Sequence, residues 1–111
     1  MEKKDFYTLH SELCKTLSHP KRQEILDNLR QEEMSVTALA KRTTISQANL
    51  SQHLAILRTR GIVKARRVGI NVHYSIANTK IIKAFDLISE VLKEALLSQS
   101  ETVKEATAIK K

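Results

Sequence analysis

The chain of 111 residues carries 19 Lys and Arg against 12 Asp and Glu, a formal net charge of +7, and is 41% hydrophobic but only 4% aromatic. That length suits one domain with a modest core and no elaborate cavity. No apolar run reaches the ~20 residues of a membrane span, and the opening Met-Glu-Lys-Lys-Asp is polar rather than signal-like; the single cysteine, Cys14, excludes a disulfide framework and fits a reducing cytoplasm.

With two Gly and one Pro, the chain reads as mainly helical. Phe6, Leu9, Leu13 and Leu17 recur at helical spacing, which predicts an amphipathic helix over about residues 5–17. Cys14 and His10 flank its stripe and read as ordinary half-buried side chains. Ser18-His19-Pro20 punctuates: Ser18 can cap, Pro20 suits a first helical turn, and His19 reads as a junction residue. A second helix is therefore expected from about Pro20 to Leu29, with Ile25, Leu26 and Leu29 inward. Gln31 to Met34 read as a polar connection. Ser35 is the expected cap of a short helix over Val36–Arg42, whose Val36, Leu39 and Ala40 face inward, and the β-branched Thr43 and Thr44 form a turn.

The next helix is predicted from Ser46, its N-cap, to Arg60, with Gly61 as C-cap. Leu50, Leu54 and Leu57 form its apolar stripe. The opposite side carries Ala48, Gln52, Ala55 and Thr59, flanked by Gln47, Asn49 and Ser51. A solvated helix face usually mixes Glu with Lys. Small and amide side chains without an acid suit a major groove instead, where small residues permit close approach and Gln or Asn can pair with adenine. Two helices joined by a short turn, the second bearing this face, make a helix-turn-helix over about 36–60.

After Gly61 the period changes. Ile62–Val68 and Val72–Ile76 are β-branched and aromatic around a turn at Gly69-Ile70-Asn71, which predicts a hairpin wing over about 62–76. Arg66 and Arg67 on this wing are suited to grip phosphates or enter a minor groove; His73 reads as a strand surface residue. Asn78 is the expected cap of a last long helix, about 79–109. Its Ile81, Ile82, Phe85, Ile88, Val91, Leu92, Ala95 and Leu96 form a stripe too broad for one small domain to cover, continued weakly by Val103, Ala106 and Ile109. Broad stripes on the first and last helices predict pairing with a second copy.

The charge is segregated. From Met34 to Phe85 there is no Asp or Glu, whereas Lys41, Arg42, Arg58, Arg60, Lys64, Arg66, Arg67, Lys80 and Lys83 all fall in that stretch. A nucleic-acid backbone is the partner such a middle fits best. A membrane surface fits poorly, because no helix joins a basic face to bulky aromatics. An enzyme is disfavoured as well: there are no paired carboxylates, no nucleophile–base spacing and no phosphate loop.

In its order of elements and in three segments the chain resembles the ArsR/SmtB family of winged helix-turn-helix transcriptional repressors. Leu17-Ser-His-Pro-Lys-Arg-Gln-Glu-Ile-Leu26 is similar to the family's opening signature, residues 46–63 to its recognition helix and exit, and residues 63–76 to its wing. The resemblance covers about residues 6–96. It implies a homodimer joined through the first and last helices, with Phe6, Leu9, Leu13, Phe85, Ile88, Leu92 and Leu96 at the interface, bound to partly palindromic double-stranded DNA. Its groove-reading positions fall on Ser46, Gln47, Ala48, Asn49, Ser51 and Gln52. Its backbone contacts fall on Lys41, Arg58, Arg60, Lys64, Arg66 and Arg67. His53 lies nearer the buried side and is expected to support the helix.

The departures from the family pattern matter as much. Where many members hold a Cys-x-Cys metal pair, this chain has Ser35-Val36-Thr37. Where others bind zinc between their last helices, it has Asn78, Lys80, Val91 and Glu94, of which the lysine and valine cannot serve as ligands. Neither metal site is expected, and no cofactor. The one redox route left is a Cys14–Cys14 bond across the dimer. The expectation is thus a single, mainly α domain with a β-hairpin wing, acting in the cytoplasm as a dimeric, sequence-specific repressor by operator occlusion. The alternative is an architectural, nucleoid-associated protein with little sequence preference, and a protein-docking module is the rival outside DNA binding. An unidentified small-molecule effector is left open.

Overall fold

The computed structural model describes the backbone of residues 1–109 and the side chains of residues 1–101; Val103, Ala106 and Ile109, the expected tail of the last stripe, lie outside the described side chains. The elements run α1 (Lys3–Leu17), α2 (Pro20–Leu29), β1 (Met34–Ser35), α3 (Val36–Arg42), α4 (Gln47–Thr59), β2 (Val63–Val68), β3 (Asn71–Ile76) and α5 (Thr79–Ile109). They divide into two compact units, Met1–Thr79 and the stretch from Lys80 onward. Among the described residues, no helix is long and apolar enough to cross a membrane.

The caps of α3 and α4 follow from their side chains. Ser35 Oγ accepts a hydrogen bond from the Ala38 N–H at 3.1 Å, and Ser46 Oγ accepts from the Asn49 N–H at 3.3 Å, each satisfying a donor the helix leaves open. The α1–α2 junction differs from expectation. Ser18 closes α1, its hydroxyl donating to the Lys15 carbonyl at 3.0 Å, and His19 caps α2, its Nδ1 accepting from the Lys21 N–H at 3.2 Å. Pro20 is the reason. It drives the residue before it out of helical geometry, so His19 is extended (φ −99°, ψ 123°) and takes the cap one position later than Ser18 would.

The end of α4 is a Schellman motif. The Gly61 N–H donates to the Arg58 carbonyl at 3.0 Å and the Ile62 N–H to the Leu57 carbonyl at 2.9 Å, while Gly61 sits at φ +74°. Leu57 and Ile62, which the motif brings together, are both buried. The chain thus leaves the helix in a fixed direction, straight into β2.

Sheet order is β1-β3-β2, antiparallel throughout. The register Val68↔Asn71 leaves a two-residue loop of Gly69 and Ile70. Gly69 is at φ +62° and Ile70 is not at positive φ, the signature of a II′ turn whose twist suits a hairpin. The third strand, β1, replaces the expected polar connection: Met34 is buried and pairs with Tyr74, and Ser35 pairs with His73. The core of the first unit is Ile25, Leu26, Leu29, Met34, Leu39, Ile45, Leu50, Leu54, Leu57, Ile62 and Val63. At ~1.5–3 kcal/mol for each large side chain fully buried, this cluster holds the helices against the sheet.

Candidate nucleic-acid interface

Helix α4 has the two-sidedness its sequence predicts. Leu50, Leu54 and Leu57 are fully buried, whereas Ser46, Gln47, Ala48, Asn49, Ser51 and Gln52 are all exposed. Its first turn holds no acidic residue, so the partial positive charge of the helix start is uncompensated and open to an anion. The turn leading into it is fixed from within. Thr43 Oγ1 donates to the Leu39 carbonyl at 2.7 Å and accepts from the Ile45 N–H at 3.3 Å, and Ile45 is buried. Glu24 of α2 accepts the Thr44 N–H at 3.1 Å, tying the turn to the preceding helix. The exposed amide face is therefore held on a rigid mount.

Seven of the basic residues of the acid-free middle, those before Lys80, fall into two groups. Acids from outside the acid-free middle fold back onto three of them: Arg42 meets Glu32 at 3.3 Å, Arg60 meets Glu12 at 3.7 Å, and Arg66 meets Glu33. Lys41, Arg58, Lys64 and Arg67 are exposed and have no ion-pair partner among the described residues. Of the expected backbone contacts, then, Arg60 and Arg66 are already engaged and four cations stand ready.

On the wing this difference follows from the pleat. Successive side chains of a strand leave opposite faces. Val63, Ala65 and Arg67 share one face of β2, and Val63 is in the core; Lys64, Arg66 and Val68 share the other. Arg66 faces His73 across the rung, and Glu33, next to β1, reaches both: Arg66 Nε donates to Glu33 Oε2 at 3.2 Å, Arg66 Nη2 donates to Oε1, and His73 Nδ1 lies 3.6 Å from Oε1. The Arg66 hydrogen bond holds the Glu33 carboxyl below the usual carboxylate range, aided by the charges of Arg66, His73 and Lys64. The same bond raises Arg66.

His53 is half-buried on α4, away from the amide face. Its Nδ1 accepts from Arg22 Nε at 3.2 Å, and its ring lies edge-on to His19 with centroids 4.8 Å apart. Burial lowers its pKa below the ordinary histidine value, and the positive charges of His19, Arg22 and Lys21 act in the same direction.

The residues expected at a dimer interface are apolar and uncovered. Phe6 and Leu9 on α1 are 54% and 50% exposed; Ile88, Leu92 and Leu96 on α5 are 70%, 58% and 56% exposed. Leu13 and Phe85 are half-buried. Sequence reasoning did not find Glu12, Glu24 and Glu33 as partners of this surface, because each reaches its partner across 20 or more residues of chain. Arg22 stands inside the opening signature, yet nothing in that segment points to His53.

Known proteins share this sequence pattern and fold. The sequence profile described as "Bacterial regulatory protein, arsR family" matches residues 19–65, from the α2 cap into β2. The HTH-type transcriptional regulator Rv0081 of Mycobacterium tuberculosis is 39% identical over 97 residues, covering 86% of this chain and 85% of that protein. Its crystal structure superposes with a TM-score of 0.79 at 37% identity, over 89% of this chain and 98% of that one. The nodulation protein NolR of Rhizobium meliloti is 40% identical over 75 residues, 68% of this chain and 62% of that protein's length. The solution structure of a homodimeric winged helix-turn-helix DNA-binding domain from Mycobacterium bovis, Mb0332, gives a TM-score of 0.74 at 32% identity over 86% and 91% of the two chains. The chain belongs to the ArsR family, whose members are DNA-binding transcriptional regulators built on the winged helix-turn-helix fold.

Proposed function

We propose that the protein is a sequence-specific repressor that binds operator DNA as a homodimer and acts by occlusion. The observation that carries this reading is α4: an exposed, acid-free face of Ser46, Gln47, Ala48, Asn49, Ser51 and Gln52 on a helix whose other side is locked into the core. In a major groove, Gln47, Asn49 and Gln52 offer the paired donor and acceptor that adenine presents in reverse. Lys41, Arg58, Lys64 and Arg67 neutralise phosphates around it, which makes binding steeply dependent on salt.

The dimer is part of the proposal. Uncovered leucine, isoleucine and phenylalanine on α1 and α5 support a self-complementary interface, and the described Mb0332 domain is homodimeric. A two-fold dimer presents two α4 helices to half-sites about one helical turn, roughly 34–36 Å, apart. Residues 1–111 then act as one functional domain, with α5 serving assembly. Selection of genomic fragments bound by the purified protein tests the reading. An inverted repeat with one-turn spacing between half-sites is the expected outcome; recovery of fragments in proportion to length alone would make the protein an architectural DNA-coating one.

A further inference from the structure

The fully buried Leu50, Leu54 and Leu57 fix which side of α4 faces outward, and polar contacts at the flank of the helix refine the angle at which that side is presented. Hydrogen bonds are directional and an ion pair adds a looser tether, and one rung of each kind joins α4 to α1. At the first, Arg22 of α2 forms a bridge: Nη1 donates to the Thr16 carbonyl of α1 at 3.3 Å while Nε donates to His53 Nδ1 of α4 at 3.2 Å. At the second, Arg60 at the end of α4 meets Glu12 of α1 at 3.7 Å.

The spacing of the rungs is regular. His53 and Arg60 are seven residues apart, two turns of α4, and so lie on one stripe; Glu12 and Thr16 are four apart, one turn of α1, and are themselves joined by the Thr16 hydroxyl donating to the Glu12 carbonyl at 3.0 Å. The later residue of α4 meets the earlier residue of α1, so the rungs run antiparallel. None of these four side chains belongs to the amide face. The carbonyl ends of α1 are also held from α2, by Arg22 at Thr16 and by Gln23 Nε2 donating to the Leu17 carbonyl at 3.0 Å.

We infer that α1 sets the angle at which α4 is presented to DNA through these two rungs, and that Glu12, Arg22, His53 and Arg60 are positioning residues for sequence discrimination. The inference rests on the DNA-binding reading of α4. It gives the first helix, whose outer face is uncovered, a route to the groove-reading helix that does not pass through the core.

The Arg22 rung needs a neutral His53, because Nδ1 must offer a lone pair. The groups facing that ring are His19, Lys21 and Arg22 from the α2 end and the uncharged carbonyl of Thr16 behind Arg22. Every charged neighbour is cationic or can become so. Burial and these neighbours keep the imidazole neutral at pH 7.5; a proton added at lower pH removes the acceptor and sets an imidazolium against the guanidinium.

The test compares affinity for a selected site and for scrambled DNA at pH 7.5 and 5.5, in the native protein, His53→Asn and Arg22→Lys, with melting temperatures recorded alongside. Asparagine keeps an acceptor near the Nδ1 position and does not titrate, while the other three histidines stay in place. The native ratio of specific to scrambled affinity is expected to fall about 5- to 100-fold on acidification, a size usual for coupling between sites. His53→Asn should keep its ratio across the same range, and Arg22→Lys should lower the ratio at pH 7.5, because an ammonium cannot serve two acceptors through a fixed fork. An Arg22→Lys ratio equal to the native one at pH 7.5, or a His53→Asn ratio that falls in parallel with the native one on acidification, overturns the inference alone. Absence of discrimination in the native protein at pH 7.5 overturns the regulator reading and this inference with it.

Discussion

Arg66 and Arg67 are neighbours in β2 and leave it on opposite faces, one onto the Glu33 carboxylate and the other into solvent without an ion-pair partner among the described residues. Adjacent arginines at a wing read alike in a sequence. In the fold they have different tasks. Arg67→Ala should weaken binding to operator and to scrambled DNA by similar factors and flatten the dependence of log K on log salt by about one phosphate contact. Arg66→Ala should flatten it less. Titrations across a salt series separate the two, and equal slopes for both variants would mean that Glu33 releases Arg66 on binding.

Glu33 subtracts charge from the wing. Its carboxyl is held low by Arg66, so the pairing is present above the ordinary carboxylate value of 4.5 and is lost only as pH falls through the lower folded value. It is therefore intact at neutral pH. Glu33→Gln frees Arg66 and should raise affinity for all DNA while steepening the salt slope by about one. The slope is the deciding measurement, and an unaltered value would show that Arg66 lies out of reach of the backbone.

Much of this was legible in local chemistry. Pro20, Ser35, Ser46 and Gly61 punctuate the chain where the helices begin and end, and the apolar period of Leu50, Leu54 and Leu57 assigns the buried side of α4. Strand β1 was not legible, because two residues have no period; Met34 becomes a strand only by pairing with Tyr74, forty residues on. The cap at His19 was hidden by Ser18, a better cap by type that Pro20 puts out of position. The acid-free middle was visible and was misleading in one respect. Glu12, Glu32 and Glu33 lie outside it in sequence and against it in space, so the count of free cations could not be read from composition.

Gly61 carries the exit from α4 at φ +74°, with open space where a Cβ would stand. Gly61→Ala meets no clash, so its cost is the left-handed backbone itself, about 1–2 kcal/mol. Urea unfolding should show a lower midpoint at an unchanged m-value. A variant as stable as the native protein would mean that the exit relaxes to another path.

Ile88, 70% exposed on α5, tests the assembly. Ile88→Glu sets a charge against the proposed two-fold partner and should raise the dimer dissociation constant tenfold or more, about 1.4 kcal/mol. Sedimentation velocity across a concentration series reads it directly. If the native protein is monomeric at micromolar concentration, or the variant dimerises equally well, α5 is not the interface.

Whether the amide face of α4 reads sequence decides the proposed function. Titration of a selected operator fragment against a scrambled duplex at about 0.15 M salt, with native protein and Gln47→Ala side by side, measures it most directly. The native protein is expected to prefer the operator by about a thousandfold or more. Gln47→Ala should lose about 1–3 kcal/mol on the operator and little on the scrambled duplex. A native ratio near one, or a loss that is the same on both duplexes, would contradict the proposal.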